Sequence, residues 1–329
     1  MSYRISPIWW PLLAAASPAL APLMALRYKR YRANCTLAEK QNRERLAQAE
    51  PLDLPALKTL ELTALVEHAV DPGFKGEAGV SYLLRSDRGS LLFDVGFGDQ
   101  YGTLAHNVER LGLSLDDAAA LVISHLHLDH MGGMKAQRAG RVAVPPRIGL
   151  PPEIPCFVPD EVDVGTMEKH LVDRPQLLAA GLGSTGPLAR PLFFLGMCQE
   201  QALVARLEGR GLAVITGCGH PTIELILRMV RKLSDEPIKL IAGGLHFPIS
   251  GSRNAPAGIQ LQSLAGTGYP PWRAINDQDL SRTIAAINDV QPERLLLSAH
   301  DTCDRSLERM RVELNAEVEV LRAGASYKI

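Results

Sequence analysis

Residues 124–133, SHLHLDHMGG, place three histidines and one aspartate within six positions. In an extended segment, side chains two residues apart point the same way, so His125 and His127 can bind one metal ion together. Asp129 and His130 follow where the chain turns at two glycines, and they can reach a second ion close to the first. Neutral imidazole and carboxylate groups suit zinc, and they also suit iron or manganese. The segment therefore predicts part of a site for two divalent metal ions, with zinc as the first choice.

Further ligands are expected at the ends of other buried strands. The apolar runs LVIS, LAVITGCG, LIAGGL and LLLSA end at His125, His220, His246 and His300, and LLF ends at Asp94. Strands that end in such residues place them together at one edge of the sheets, where loops open to solvent. We expect His220 and His300 to complete the metal sites and His246 to add a ligand. Asp94 is expected to orient a histidine from behind rather than to bind metal directly.

The remaining histidines and the cysteine nearest the cluster have weaker contexts. Cys218, in TGCGH, lies between small turn residues, so we expect it to pack tightly rather than to bind metal. His68, His106 and His170 follow no comparable strand end and are expected in the core or on the surface.

The elements that must position these residues alternate between strands and helices from residue 58 onward, which predicts an α/β fold. Strands are predicted within residues 59–70, 80–86, 90–96, 119–124, 201–216, 238–244 and 294–299. Helices are predicted over residues 103–113, 223–233 and 279–290, the last with Asp279 or Ser281 as its cap. The proline-rich residues 140–195 are predicted as long loops that form a lid, and residues 249–275 as a second loop.

The amino-terminal residues 5–26 contain no charged side chain, and as a helix they would run about 33 Å, enough for a hydrocarbon core of about 30 Å. Four basic residues follow within 27–32, which predicts a membrane anchor with the bulk of the chain in the cytoplasm. We expect three parts: an anchor with its basic flank over 1–34, a connector helix over 35–57 with a capping box at Thr36, and a catalytic domain over 58–329.

Alternatives for this segment stay open. Its prolines remove backbone hydrogen bonds and kink a helix, which also allows a bent, re-entrant or surface-lying segment. A hydrophobic arm packed on a partner subunit is a further alternative, whereas a cleaved signal peptide fits the short apolar core poorly.

Composition limits the other classes of function. The net charge of −1 gives no basic face for nucleic acid, so no nucleic-acid partner is expected. Five scattered cysteines without a CxxC pair argue against a disulfide framework and favour a reducing compartment.

The motifs resemble a known family. HLHLDH fits the HxHxDH signature of the metallo-β-lactamase superfamily, and the resemblance extends over residues 60–329. LVEHAV, EAGVSYLL, LLFDVGFG, QEQALV, ITGCGH and GGLHF are similar to successive blocks of one branch, the metal-dependent hydrolases often labelled dihydropterin ribofuranosyl-aminobenzene phosphate synthase. The resemblance implies an αββα sandwich in which two sheets face each other, helices lie outside and the metals lie at one edge.

The resemblance also implies a ligand set. Carried over by motif, the first metal is bound by His125, His127 and His220, and the second by Asp129, His130 and His300. His246 falls where many relatives place a bridging aspartate or a cysteine. Because a neutral imidazole cannot bridge two cations, His246 is expected to be an extra ligand or a substrate contact.

The function expected from these features is that of a membrane-tethered metal-dependent hydrolase. Metal-bound hydroxide, oriented by Asp129 as the catalytic residue, would cleave an ester, lactone or phosphoester bond of a small amphiphilic substrate. Two alternatives stay open. One is a pterin or phosphoribosyl synthase, with Arg253 or Arg273 in a phosphate patch, and the other is a non-catalytic metal-binding subunit of a membrane complex. A membrane-protein partner or a homo-oligomer is compatible with each.

Overall fold

The computed structural model describes residues 4–253 and 255–329, so the first three residues of the predicted anchor lie outside the described residues. The helices in this part of the chain are α1 (Trp10–Gln48), α2 (Thr103–Arg110), α3 (Leu128–Met131), α4 (Met134–Ala139), α5 (Ile223–Leu233), α6 (Asp277–Val290) and α7 (Asp304–Glu313).

Two large sheets form the centre of the domain. The first sheet has the order β17-β2-β3-β4-β5-β6-β7. Its strands are β2 (Leu60–Val66), β3 (Ser81–Ser86), β4 (Gly89–Phe93), β5 (Ala118–Val122), β6 (Pro155–Val158), β7 (Glu168–Leu171) and β17 (Ser326–Lys328). The pair β4–β5 is parallel, so both carboxyl ends reach the same edge.

The second sheet has the order β16-β15-β14-β13-β12-β9-β8, and β1 pairs with β12. Its strands are β1 (Ala56–Leu57), β8 (Gln176–Leu177), β9 (Gly183–Ser184), β12 (Leu203–Leu207), β13 (Gly211–Thr216), β14 (Ile238–Gly243), β15 (Arg294–Leu297) and β16 (Glu317–Val320). The strands β13, β14 and β15 are parallel, and their carboxyl ends share one edge. A separate antiparallel pair joins β10 (Leu188–Leu192) and β11 (Gly196–Glu200).

The core has the layers expected for an αββα sandwich, because alternate residues of each strand point to opposite faces. On β4, Leu91 and Phe93 pack between the two sheets, while Leu92 packs outward against α2. On β14, Leu240 packs between the sheets and Ile241 packs against the helices on the other side. The αββα arrangement implied by the family resemblance is therefore confirmed.

Helix α1 differs from the expected division into an anchor and a separate connector. It runs without interruption from Trp10 to Gln48, and Pro18 and Pro22 lie inside it. The predicted capping box at Thr36 is wrong, because this residue lies in the helix interior and its hydroxyl donates to the carbonyl of Arg32 at 3.3 Å. By length and composition, α1 with the preceding turn can cross a membrane. The most apolar part of this segment is not buried by the rest of the described chain.

Two loop and cap predictions also need correction. Residues 140–195 contain β6 to β10 rather than one long lid, since strands of two to five residues interrupted by prolines leave no readable periodicity. The cap of α6 is Asn276, whose side chain accepts from the backbone N–H groups of Gln278 and Asp279. Asp279 completes this capping box from the third helical position, and Ser281 lies farther into the helix.

Candidate metal centre

The predicted ligands meet at the edge where the carboxyl ends of both sheets come together. His125 follows β5, and His127, Asp129 and His130 lie at or within the short helix α3. The second sheet adds a histidine after each of its three parallel strands, namely His220 after β13, His246 after β14 and His300 after β15. At the shared edge of the two facing sheets, side chains that are up to 175 positions apart in the sequence, such as His125 and His300, thus come together.

The side chains form two adjoining groups whose potential ligand atoms all lie within 4.8 Å of one another inside each group. One group contains His125, His127 and His220, and the other contains Asp129, His130, His300 and Cys218. The rings of His125 and His130 link the two groups, with centroids 4.1 Å apart. A third set joins His246 to Cys218 and His220.

Cys218 corrects the expectation of a packing residue. Its Sγ atom lies 3.1 Å from His130 Nε2 and 3.2 Å from His300 Nε2. Burial raises the pKa of the Cys218 thiol well above its usual value, and Asp129 adds to this effect. A divalent cation at the same place would reverse that preference, because a coordinating thiol loses its proton. Cys218 is therefore a candidate soft ligand beside the second group.

In most of the histidines, one ring nitrogen points away from the metal centre and forms a hydrogen bond with an acceptor. His130 Nδ1 lies 2.7 Å from Asp94 Oδ2, and His220 Nδ1 lies 3.0 Å from the carbonyl oxygen of Gly266. His125 Nδ1 lies 2.9 Å from the hydroxyl of Ser124, which donates to Asp94 Oδ2 at 2.6 Å. These contacts favour a proton on Nδ1 in each ring, and in the neutral rings of His125 and His220 they leave the lone pair of Nε2 facing inward.

A second chain of the same kind lies behind His300. The Nδ1 atom of His300 contacts the hydroxyl of Ser298, and this hydroxyl donates to the buried carboxylate of Glu67. The hydroxyl of Tyr82 also donates to Glu67, at 2.9 Å. Burial raises the pKa of Glu67 to about 7, although these hydrogen bonds oppose the shift. The ring of His300 is thus oriented from behind in the same manner as that of His125.

Two more buried carboxylates fix the backbone that carries the ligands. Glu200 accepts from the N–H groups of Cys218, Gly219 and His220, at 3.1, 2.7 and 2.7 Å. Asp301 accepts from the N–H group of His246 at 3.1 Å. The loop of the second sheet is therefore held by charge-assisted hydrogen bonds, which are stronger than neutral ones.

The electrostatics favour neutral rings in most of the cluster. Burial and the neighbouring rings lower the pKa of His125 and His220 well below the usual value. Burial also lowers the pKa of His127 and His300 to about 4, against the attraction of nearby aspartates. His130 differs, because Asp129 and Asp94 outweigh its burial and raise its pKa to about 9.

Divalent metal ions fit this donor set. His127 Nδ1 lies 3.1 Å from His220 Nε2, so one ion can contact both nitrogen atoms. Among the described residues, His125 Nε2 and both ring nitrogens of His246 are buried without a hydrogen-bond partner. Buried polar atoms without partners are costly, and a cation supplies the partner that the protein lacks.

Asp94 and His246 hold strained backbone conformations, with φ angles of 61° and 56° in the left-handed region. Residues other than glycine adopt this region rarely, and they do so most often at functional sites. Asp94 contacts the outward-facing Nδ1 of His130 and the backbone N–H of Ser124.

His68, His106 and His170 belong to none of the candidate metal groups found in the described part of the chain. His170 lies on β7 and pairs with Glu168 at 3.1 Å. The carboxylates of Glu67, Glu200 and Asp301 were missed at the sequence level. The signal available was their position beside strand ends, in LVEHAV, QEQALV and AHDTCD.

Comparisons with known proteins agree with this fold. The family model of the metallo-β-lactamase superfamily matches residues 75–185, which include β3 to β7 and the HLHLDH segment. A solved structure described as a metal-dependent hydrolase of the β-lactamase superfamily is 20% identical, with a TM-score of 0.57 over 82% of this chain and 99% of that chain. The metallo-β-lactamase fold protein YhfI from Bacillus subtilis is 16% identical, with a TM-score of 0.51 over 83% and 100% of the two chains. No curated protein matches the chain.

At these identities the solved structures show the fold, and the chain has the metallo-β-lactamase fold with a long apolar amino-terminal helix. The family model and the structural neighbours together support the metallo-β-lactamase superfamily.

Proposed function

We propose that this chain is a membrane-associated metal-dependent hydrolase whose catalytic domain spans residues 58–329. The observation that carries the proposal is the meeting of two ligand groups, each with its donor atoms within 4.8 Å of one another, at the carboxyl edge of both sheets. The neighbour described as a metal-dependent hydrolase supports the same class of activity.

In this proposal the first divalent ion is held by His125, His127 and His220, and the second by Asp129, His130 and His300 with Cys218 beside them. Zinc suits this mixture of imidazole, carboxylate and thiolate best, with iron or manganese as alternatives. When bound, such ions make a water nucleophilic at neutral pH and polarise the oxygen of the bond to be cleaved.

The chain's own residues would orient the reactants. The carboxylate of Asp129 lies 3.6 Å from His130 Nε2, and its side chain is 18% exposed, so it can contact both the centre and an incoming molecule. We assign it the role of accepting a hydrogen bond from the attacking water and fixing its direction. Asp94 and Glu67 would hold the ligand rings in the required tautomer.

A cavity of about 270 Å³ opens beside the centre, lined by His220, His246, Gly266 and Thr267 among others. It gives a substrate access to the ligand groups, which favours an enzyme over a closed, non-catalytic metal site. The bond classes proposed for cleavage are ester, lactone and phosphoester. The synthase alternative rests on the sequence blocks shared with that branch.

Metal analysis of the purified full chain and a panel of chromogenic esters, lactones and phosphodiesters test this proposal. We expect about two equivalents of divalent metal and turnover of at least one class of substrate. His127→Ala is expected to abolish turnover with the fold retained, whereas the matched His170→Ala, on β7, keeps it. Full activity of His127→Ala, or a metal-free active enzyme, would overturn the assignment.

For the membrane association we propose that the apolar part of α1 enters one face of the bilayer without crossing it. The segment before the helix and the helix after its apolar part contact the same loop, residues 249–275. Trp9 Nε1 donates to the carbonyl of Ala257 at 2.9 Å, and the hydroxyl of Tyr31 donates to Gly268 at 2.8 Å. If the helix crossed the hydrocarbon core, these two contacts would lie on opposite sides of it, and the loop of residues 249–275 would have to cross as well.

Apolar side chains available for lipid line both the helix and this loop. On α1, Leu12 is 60% exposed and Leu23 is 62% exposed, and on the loop Trp272 is 60% exposed. A cluster of exposed apolar groups followed by the basic residues of 27–32 is typical of segments that bind an anionic leaflet. The bulk of the domain would remain on the cytoplasmic side.

Labelling of Ser6→Cys and Thr36→Cys with a membrane-impermeant maleimide, each compared with the parent chain, tests this arrangement. Both positions are expected to react in inside-out vesicles and to be protected in intact cells. Labelling from opposite sides would contradict the proposal and would support a spanning helix.

A further inference from the structure

A second, larger cavity lies between α1 and the domain. Its volume is about 830 Å³, and α1 forms one wall with Tyr31, Cys35, Ala38, Asn42 and Leu46. The spacing of three or four residues places these side chains on one face of the helix. Helix α5 and the end of the loop 249–275 form the facing walls. The carboxyl-terminal half of α1 is therefore part of a cavity wall as well as a connection to the apolar segment.

The charge of this cavity is strongly positive. Its lining contains two carboxylates, Glu39 and Glu224, and the five basic side chains Arg43, Arg190, Arg228, Lys232 and Arg273. Within the described part of the chain, none of these five basic groups forms an ion pair. Other cations of the domain do: Arg206 pairs with Glu236, and Arg231, which lies on α5 like Arg228, pairs with Asp289. A net excess of three positive charges without partners predicts an anionic ligand.

Arg190 and Tyr269 connect this cavity to the metal centre. Both residues also line the smaller cavity beside His220 and His246. Two cations lie near the ring of Tyr269, with the guanidinium carbon of Arg190 at 5.7 Å and that of Arg273 at 4.2 Å from its centroid. The larger cavity therefore adjoins the cavity that contains the ligand groups His220 and His246.

Arg190 has features of a preformed binding group. Its Nε atom is buried and has no hydrogen-bond partner among the described residues. Its guanidinium packs against the backbone of Gly268, where any Cβ atom would collide with it, and Tyr31 donates to the carbonyl of the same glycine. The side chain is therefore held in place with a donor still free, which lowers the entropy cost of binding a ligand.

We propose that the larger cavity binds a phosphate group of the substrate, with α1 as one wall, while the bond to be cleaved lies at the metal centre. Arginine donors match the oxygens of a phosphate, and several cations together neutralise its charge of up to −2. The volume leaves room for the organic part of a phosphate ester. This inference rests on the proposed hydrolase only for the role of the ligand as a substrate.

Isothermal titration calorimetry of the full chain in a neutral detergent tests the inference, with inorganic phosphate, dihexanoyl phosphatidic acid and dihexanoylglycerol as probes. Both phosphate probes are expected to bind, and Arg228→Gln or Arg273→Gln should each weaken binding roughly tenfold. Arg231→Gln is the matched control, since this residue is on the same helix but pairs with Asp289 away from the cavity.

The two phosphate probes distinguish the source of the group. Equal affinities indicate a water-soluble phosphate ester, and much tighter binding of dihexanoyl phosphatidic acid indicates a lipid headgroup. Either result supports the shared chemistry. Binding of dihexanoylglycerol as tight as that of the phosphate probes, no binding of either phosphate probe, or an equal loss in Arg231→Gln would overturn the inference.

The same titration on His127→Ala separates this inference from the proposed function. Phosphate binding is expected to be unchanged in that variant, because His127 does not line the larger cavity. A chain that binds the phosphate probes but hydrolyses nothing would refute the hydrolase and leave the cavity assignment standing. A chain that hydrolyses neutral esters and binds no phosphate would do the reverse.

Discussion

Replacing Asp94 by asparagine tests how the ligand rings are held. The Oδ1 atom of Asp94 accepts from the backbone N–H of Ser124 at 2.6 Å, and its Oδ2 atom receives Ser124 Oγ at 2.6 Å and His130 Nδ1 at 2.7 Å. Asparagine can keep the first contact with its oxygen and tolerates the left-handed φ of 61°. Its amide nitrogen then occupies the position of Oδ2 and directs its N–H donors at Ser124 Oγ and His130 Nδ1.

The consequence is a change of tautomer in two ligand rings. His130 Nδ1 would accept from the new amide, which moves its proton to Nε2, the atom that faces the centre. Ser124 would accept from the same amide and turn its hydroxyl proton toward His125 Nδ1, which lies 2.9 Å from its oxygen. Each charge-assisted hydrogen bond lost contributes about 1.5–3 kcal/mol. We therefore expect Asp94→Asn to lower metal affinity roughly 10- to 100-fold.

Competition with a fluorescent zinc chelator measures the metal affinity, and inductively coupled plasma mass spectrometry gives the number of metal ions retained. Asp99→Asn is the matched control, because Asp99 lies five positions away and is exposed. Circular dichroism and the midpoint of unfolding check that both variants fold. Asp94→Asn with the affinity of the parent chain for both ions, or an equal loss in Asp99→Asn, would refute this account of the ring positions.

Three further changes, with Val312→Ala as the control for the third, distinguish effects on the metal centre from effects on the scaffold. Cys218→Ser should abolish the thiolate-to-cobalt charge-transfer absorption of the cobalt-substituted protein; an unchanged spectrum would remove Cys218 from the ligand set. Gly266→Ala introduces a Cβ atom that would collide with the ring of His246; we expect turnover to fall at least tenfold with metal content retained, and unchanged kinetics would show that His246 has no role in turnover. Leu296→Ala, fully buried between the sheets, should cost about 2–5 kcal/mol in urea unfolding. Val312→Ala, at a position 73% exposed, should change stability by less than about 0.5 kcal/mol.

Local spacing and strand periodicity are sufficient to predict an α/β fold and the convergence of its histidines, whereas the αββα sandwich is predicted only through the family resemblance. HLHLDH requires a turn that brings its four polar side chains together, and His220 and His300 follow apolar runs of the kind that form parallel strands. Because parallel strands end at one edge, the approach of these distant residues could be predicted without coordinates. The local sequence therefore indicates which strand ends meet at this edge.

The contacts around the ligands could not be predicted in this way. Cys218 approaches His130 only through the meeting of the two sheets, and it approaches His300 across the parallel strands of its own sheet. The small residues around it suggest a turn. Glu67 reaches Ser298 across 231 positions, a pairing without any local pattern. Such partners depend on tertiary packing, which a single sequence does not contain.

The amino-terminal helix shows the same limit. Its apolar composition predicts lipid contact, and its continuity through Pro18 and Pro22 is not evident from the sequence. The carbonyl of Ala14, which lacks a helical partner because Pro18 has no N–H, accepts from the hydroxyl of Ser17 at 2.8 Å. The basic cavity behind α1 could not be predicted, because Arg190, Arg228 and Arg273 lie on three different segments.

X-ray absorption spectroscopy at the metal edge, on the full chain purified with its native metal, tests the central claim most directly. The claim is that imidazoles from both sheets surround divalent ions. We predict a first shell dominated by nitrogen and oxygen at about 2.0–2.1 Å, imidazole multiple scattering, and a minor sulfur contribution at about 2.3 Å if the ion is zinc. A metal-replete sample whose first shell lacks imidazole scattering would contradict the account.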